Sequence, residues 1–143
     1  MKVLHDWDNI KEGIDRRGYL DTLIQLDLLV GVTPVVGIRT EILKTYPHIF
    51  MELREKYGDK VEYHLHIHNG DDFTDDARTR HWLPELTQSM ETWHYDTDLF
   101  KHGKLVMLKK GELPIIHVDH VEYLGEYIKY LYRIKFEELK IYE

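Results

Sequence analysis

The sequence predicts an α/β fold in which a mostly parallel β-sheet is flanked by helices, and two observations support this prediction. Short apolar runs alternate with longer segments whose apolar residues recur every three or four positions. This alternation is typical of parallel sheets, because a helix crosses between successive strands. The length of 143 residues, with 43% hydrophobic and 31% charged residues, suits one compact domain, which is expected to span 1–143.

The first half of the chain predicts three strands and two helices. The first helix is expected to end at Gly31, a residue type that commonly terminates helices. The second is expected to bend or restart at Pro47 and to stop at Gly58, because proline disrupts a helix interior. The predicted elements are a strand at 2–5, a helix at 19–31, a strand at 32–38, a helix at 40–58 and a strand at 60–67.

The second half of the chain begins with a polar segment at 69–80, which predicts a loop. The stretch 83–93 is expected to form a short helix, and 104–108 and 113–118 are expected to form strands. Residues 121–135 are apolar or aromatic at three- and four-residue spacing, which predicts the last helix.

Composition excludes several classes of function. A formal charge of −7 argues against nucleic acid as a partner, since phosphate binding needs a basic surface. The chain has no cysteine, so disulfides and thiolate metal sites are excluded. No apolar run approaches the roughly 20 residues of a membrane helix, and the start lacks the apolar core of a signal peptide. We therefore expect a cytoplasmic protein without a membrane partner.

Three histidines alternate with apolar residues in the stretch "HLHIH". On a strand, His64, His66 and His68 would all project from one face, since side chains alternate sides. On a regular strand His64 and His68 would lie about 13 Å apart, too far to share one ion, so that pair requires the chain to curl. The pairs His64 with His66 and His66 with His68 therefore remain alternatives.

Acidic and imidazole side chains also end three of the predicted strands. Asp6 and Asp8 follow the first strand, His66 and His68 end the third, and His117 and Asp119 end the last. Ligands of parallel sheets gather beyond the carboxyl ends of the strands, so these groups are expected to converge on one rim. Imidazole and carboxylate ligands suit zinc, iron, cobalt or nickel, and they predict a metal site that leaves positions open for water and substrate.

Four stretches together resemble the polysaccharide deacetylase (NodB homology) family. The stretch "HDWDN" is similar to the family's aspartate pair at the end of the first strand, and "HLHIH" to its H-x-x-x-H histidine pair. "LPIIH" is similar to a late strand that ends in histidine, and "HYDTDLF" at 94–100 to a tyrosine-aspartate stretch. The resemblance implies a short, divergent member whose fold is a trimmed or incomplete (β/α) barrel.

The resemblance also implies a mechanism and roles for five residues. Asp8, His64 and His68 would hold a divalent transition metal, zinc first, with cobalt or nickel as alternatives. Asp6 would be the general base and His117 the general acid, although Trp7 separates the two aspartates and their roles could be exchanged. The substrate would be an N-acetylated sugar, a carbohydrate or another small amide, and the protein could form a homo-oligomer.

Three other functions use the same stretches. A noncatalytic relative would serve as a structural or interaction module. "DWDN" with "GDDFTD" at 70–75 is similar to the aspartate motifs of haloacid dehalogenase-type phosphatases, which leaves the histidines unexplained. A histidine-hydrophobic-histidine nuclease would use the alternating histidines with Tyr132 and Lys135, but the acidic chain speaks against a DNA substrate.

Overall fold

A six-stranded parallel sheet forms the centre of the protein. The structure is a computed structural model that describes residues 1–7, 10–65, 87–88 and 96–136. Its strands are β1 (Lys2–Trp7), β2 (Thr33–Ile38), β3 (Glu62–Leu65), β4 (Thr87–Gln88), β5 (Asp96–Asp98), β6 (Phe100–Lys101), β7 (Lys104–Leu105) and β8 (Leu113–His117). The order in the main sheet is β4-β3-β2-β1-β8-β5, and every neighbouring pair is parallel. Strands β6 and β7 form a separate antiparallel hairpin.

Four helices connect or follow these strands: α1 (Arg17–Val30), α2 (Thr40–Thr45), α3 (Ile49–Tyr57) and α4 (Leu124–Lys135). Helix α1 ends where Gly31 adopts a left-handed conformation with φ of 85°, which glycine enters without steric cost. Pro47 lies between α2 and α3, so the expected interruption divides the segment into two helices.

All four helices pack on the same face of the sheet, which we call the helix-covered face. On β1 this face carries Val3, His5 and Trp7, and the opposite, inner face carries Leu4 and Asp6. The buried clusters of the helix-covered face join strand residues to each helix in turn. These clusters include Leu20, Leu23 and Ile24 of α1, Ile42 of α2, Phe50 and Leu53 of α3, and Tyr127 and Leu131 of α4. A smaller buried cluster of Leu4, Val35 and Ile115 lies on the inner face.

The strand order is that of an opened barrel. From β1 the chain steps outward to β2, β3 and β4, and from β5 it steps in the same direction to β8, which lies beside β1. Among the described strands, β4 and β5 are thus the two edges of the sheet. If these edges met, the strands would follow one another around a barrel in chain order. Helices on one face only are what a (β/α) barrel requires, since a doubly wound sheet places them on both faces. The α/β fold with a parallel sheet and flanking helices is therefore confirmed, and it is consistent with an incomplete barrel.

Two of the expected elements are wrong in detail. The helix expected at 83–93 is contradicted at Thr87–Gln88, which pairs in parallel with β3 as a strand. Hydrogen bonds to the edge of a neighbouring strand outweigh the weak helical preference of so short a segment. The strand expected at 104–108 is shorter and belongs to the β6–β7 hairpin, while β5 was not anticipated. No helix in the described part of the chain is long and apolar enough to cross a membrane.

Candidate functional site

Three of the four central strands place a polar side chain at one level of the inner face, near their carboxyl ends, and the fourth, β2, has a glycine there. Asp6 on β1 is in register with His117 on β8 and with Gly37 on β2, and Gly37 is in register with His64 on β3. Register partners share a face, so all four positions are on the inner side. This is the end of the sheet at which (β/α) barrels carry their active sites.

His117 lies between two carboxylates. Its Nδ1 is 3.6 Å from Oδ2 of Asp6, and its Nε2 donates to Oδ1 of Asp98 at 3.0 Å. The three side chains differ in exposure: Asp6 is 1% exposed, His117 31% and Asp98 59%. The hydrogen bond to Asp98 fixes the orientation of the ring and directs Nδ1 towards the buried carboxylate, leaving an edge of the imidazole accessible to a ligand.

His64 is the third polar side chain of this row, and its environment favours the neutral form. Burial lowers the pKa of His64, and the nearby Glu62 opposes that shift only in part. A neutral imidazole is the form that binds a metal. Nδ1 of His64 is buried and has no hydrogen-bond partner in the described part of the chain, so a ligand could satisfy this nitrogen.

Gly37 leaves the space between Asp6 and His64 free of a β2 side chain. The two residues are two strands apart, so their Cα atoms are separated by about 10 Å at the usual strand spacing. The carboxylate of Asp6 lies near His117 on β8, on the side of β1 away from β2 and β3, so it is placed with His117 rather than beside His64. His64 is the one predicted ligand whose position the structure describes, and its imidazole is a nitrogen donor of the kind that a divalent transition metal binds.

The structure describes only one of the three predicted metal ligands, His64. Asp8, His66 and His68 lie outside the described residues, as does the acidic stretch at 70–75. Within residues 1–7, 10–65, 87–88 and 96–136, no group of three or more His, Asp or Glu side chains has metal-site geometry. The choice among His64, His66 and His68, and the role of Asp8, stay predictions.

Asp98 is the site residue that sequence reasoning missed. It lies in the stretch "HYDTDLF", whose resemblance implies no role for this aspartate. Its position follows from β5, which pairs with β8 so that Asp98 is opposite Ile115, two residues before His117 and on the same face of the sheet. A strand at 96–98 beside a strand that ends in histidine would have been the signal for this contact.

A second histidine–aspartate pair lies on the other side of β1. Nε2 of His5 donates to Oδ2 of Asp27 on α1 at 2.5 Å, and the hydroxyl of Tyr127 on α4 donates to Oδ1 of the same carboxylate. His5, Asp27 and Tyr127 are all completely buried. Burial and, to a smaller extent, the Asp27 charge raise the pKa of Tyr127 well above its usual value. We refer to these three residues as the buried triad.

A cavity of about 190 Å³ adjoins His117 on the side of β5. Its wall includes acidic, basic and aromatic side chains from β5, the β6–β7 hairpin and the segment between β8 and α4. These include Asp98, Phe100, Lys101, His102, His120 and Tyr123. The cavity gives the accessible edge of His117 a neighbouring space in which a substrate group can bind.

The nuclease hypothesis depends on a tyrosine that the fold keeps away from this row. Tyr132 lies on α4, which packs on the helix-covered face, and its side chain is 60% exposed. His64 lies on the inner face. Tyr132 and His64 therefore lie on opposite sides of the sheet, while His66 and His68, the other histidines of this hypothesis, lie outside the described residues, so the nuclease stays a prediction.

Comparisons of this chain with protein-family models, with curated proteins and with solved structures found no match. The assignment of function therefore depends on the geometry of the site.

Proposed function

We propose that the protein is a metal-dependent hydrolase of the deacetylase type that acts on an N-acetylated sugar or another amide. The observation that supports this most strongly is the register of Asp6 with His117 on adjacent parallel strands. It brings a buried carboxylate within 3.6 Å of a partly exposed imidazole at the carboxyl end of the sheet. His64, at the same level two strands away, is a neutral nitrogen donor for the metal.

In the proposed reaction the two strands supply a base and an acid. Asp6 accepts the proton of the attacking water, and His117 gives a proton to the amine that leaves. Asp98 holds the ring of His117 in position through the hydrogen bond to Nε2. A zinc, cobalt or nickel ion bound by Asp8, His64 and His68 would polarise the amide carbonyl and increase the acidity of a bound water.

Burial of Asp6 suits the role of a base. A carboxylate that is 1% exposed is shielded from bulk water, so its interaction with a nearby imidazole or reacting water is stronger than at the surface. A positioned base or acid typically contributes a factor of about 10²–10⁴ to the rate, so removing either Asp6 or His117 should slow turnover. A cytoplasmic location belongs to the same proposal, and cell fractionation tests it.

Metal analysis tests the ligand assignment directly. The protein is purified without a histidine tag, incubated with zinc, dialysed and analysed for bound metal, together with His64→Ala and a matched His48→Ala control. His48 is exposed at the start of α3. We expect about one equivalent of metal in the wild type and in the control, and a large loss in His64→Ala. Equal metal content in all three proteins would remove His64 from the site.

A further inference from the structure

The β6–β7 hairpin and the loop that follows it form a basic surface on an acidic chain. His102 and Gly103 have φ values of 53° and 76°, as a two-residue turn between twisted strands requires. Residues 101–110 contain four lysines and no acidic residue, whereas the chain as a whole carries a net charge of −7. We call Lys101, Lys104, Lys109 and Lys110, all exposed, the hairpin lysines.

The hairpin lysines are not neutralised within the described part of the chain. None of their ammonium groups forms an ion pair there, whereas Lys2 pairs with Glu62 and Lys56 with Asp21. Unpaired like charges on a short segment repel one another, and an anionic ligand relieves this repulsion. The hairpin therefore presents unpaired positive charge to solvent, next to the carboxylate of Asp98 in the wall of the same cavity.

This positive surface adjoins the proposed catalytic acid. Lys101 and His102 line the cavity of about 190 Å³ whose wall also includes His117. Backbone hydrogen bonds hold the hairpin in place: the amide of Leu99 donates to Ile115 on β8 at 2.9 Å, and that of Val106 donates to Leu99 at 2.8 Å. A charged group bound by the hairpin would thus lie at a fixed position relative to His117.

Aromatic rings provide the remaining part of a saccharide subsite. Tyr123 stacks on His120 with ring centres 5.4 Å apart, and Phe100 lies 5.5 Å from the same tyrosine. All three residues line the cavity. Phe100 is only 7% exposed and packs on Tyr123, so the ring that a sugar would contact is that of His120, which is 43% exposed. An aromatic ring with a polar edge accommodates the apolar face of a sugar, while the adjacent Lys101 would bind its charged substituent.

We propose that the substrate is an anionic N-acylated saccharide whose carboxylate or phosphate group binds the hairpin lysines, with Lys101 nearest to the reacting amide. This proposal rests on the proposed function, since it uses His117 as the acid. It narrows the substrate class from N-acetylated sugars in general to those that carry a negative charge. A lipid surface is the alternative partner for a basic hairpin, and the test below includes it.

Binding to metal-free protein tests the proposal without depending on turnover. The probes are a tetrasaccharide of alternating glucuronate and N-acetylglucosamine, N-acetylglucosamine 6-phosphate, and neutral chitotetraose, each titrated by calorimetry at low and high salt. The variant is Lys101→Gln with Lys104→Gln. The matched control is Lys60→Gln with Lys135→Gln, two exposed lysines that form no ion pair within the described residues. This control changes the net charge by the same amount as the hairpin variant.

We expect a charged probe to bind more tightly than chitotetraose, with an affinity that falls as salt rises. The hairpin variant should weaken that binding about tenfold, and the control should leave it near the wild-type value. The tetrasaccharide and the phosphate sugar distinguish a carboxylate from a phosphate as the group that is bound.

Several results would overturn the proposal. They are equal affinity for charged and neutral probes, equal losses in the variant and the control, and no binding of any saccharide. Hairpin-dependent binding of phosphatidylglycerol vesicles without saccharide binding would assign the surface to lipid instead. Acetate release is assayed separately on zinc-loaded protein. Lysine-dependent binding without acetate release would refute the hydrolase and support the saccharide site. Acetate release that the hairpin variant does not change would support the hydrolase and refute the role of the hairpin lysines.

Discussion

Two histidine–aspartate arrangements lie on opposite faces of the same sheet, and they differ in almost every physical respect. His5 and Asp27 are completely buried, and Tyr127 closes their network. His117 is 31% exposed and is flanked by the buried Asp6 and by Asp98, which is 59% exposed. The first arrangement joins β1 to two helices, whereas the second opens into a cavity.

The comparison shows that residue type does not by itself indicate chemistry. His5 and Asp6 are adjacent in sequence, yet strand alternation sends one beneath α1 and α4 and the other to the carboxyl-end site. A completely buried pair holds elements together but has no substrate within reach. A pair with one buried and one accessible member can exchange a proton with a ligand.

The largest expected effect on stability comes from Asp27→Ala. This change leaves His5 buried without its carboxylate and Tyr127 without its acceptor, and we expect a loss of about 3–5 kcal/mol in the free energy of unfolding. Asp98→Ala is the matched change at the other histidine, and it should cost about 1 kcal/mol or less because Asp98 is largely exposed. Urea denaturation measures both.

Asp27→Asn is measured if the alanine variant does not fold, because asparagine keeps the shape of the aspartate side chain and one acceptor oxygen. Similar losses for Asp27→Asn and Asp98→Asn would contradict the contrast between the two arrangements.

Removing the hydroxyl of Tyr127 should have a smaller effect. Tyr127→Phe keeps the ring in its buried position and deletes only the hydrogen bond to Asp27, at a cost of about 1.5–3 kcal/mol for a bond to a charged group. Tyr132→Phe, on the exposed side of the same helix, is the control and should be neutral. Urea denaturation again gives the result, and equal midpoints for the two variants would argue against a buried triad.

A change in alkaline stability should accompany the loss of that hydroxyl. Burial raises the pKa of Tyr127 well above 10 and that of Tyr19 to about 12. Unfolded tyrosines lose their protons near pH 10 while these two keep theirs, so the unfolded state binds fewer protons and stability falls as pH rises above about 10.

Tyr127→Phe removes one of these groups, so its free energy of unfolding should fall less steeply between pH 9 and 11 than that of the wild type. Urea denaturation at several pH values gives the two slopes. An identical slope would show that Tyr127 titrates normally in the folded state.

The central fold was predictable from the sequence because its strands have local signals. Strands β2 and β8 are continuous apolar runs, as expected for strands covered on both faces, and α1 ends at the expected glycine. Asp6 and His117 could be assigned to one rim because parallel strands align their carboxyl ends.

Other contacts had no such signal. His5 meets Asp27 across 22 positions and Tyr127 is 100 positions from that aspartate, so only the packing of two helices brings them together. The two-residue strand β4 and the three-residue strand β5 depend on pairing with neighbours rather than on local preference.

Acetate release by the zinc-loaded protein tests the central claim most directly, namely that the inner-face row is the catalytic site. The substrate is an N-acetylated oligosaccharide. The assay compares the wild type, His117→Asn and the exposed-histidine control His48→Asn at a temperature at which all three proteins are folded. We predict release by the wild type and the control, and a loss of at least about a hundredfold in His117→Asn. Wild-type rates in His117→Asn would contradict this assignment, and the absence of release from every protein would contradict the hydrolase itself.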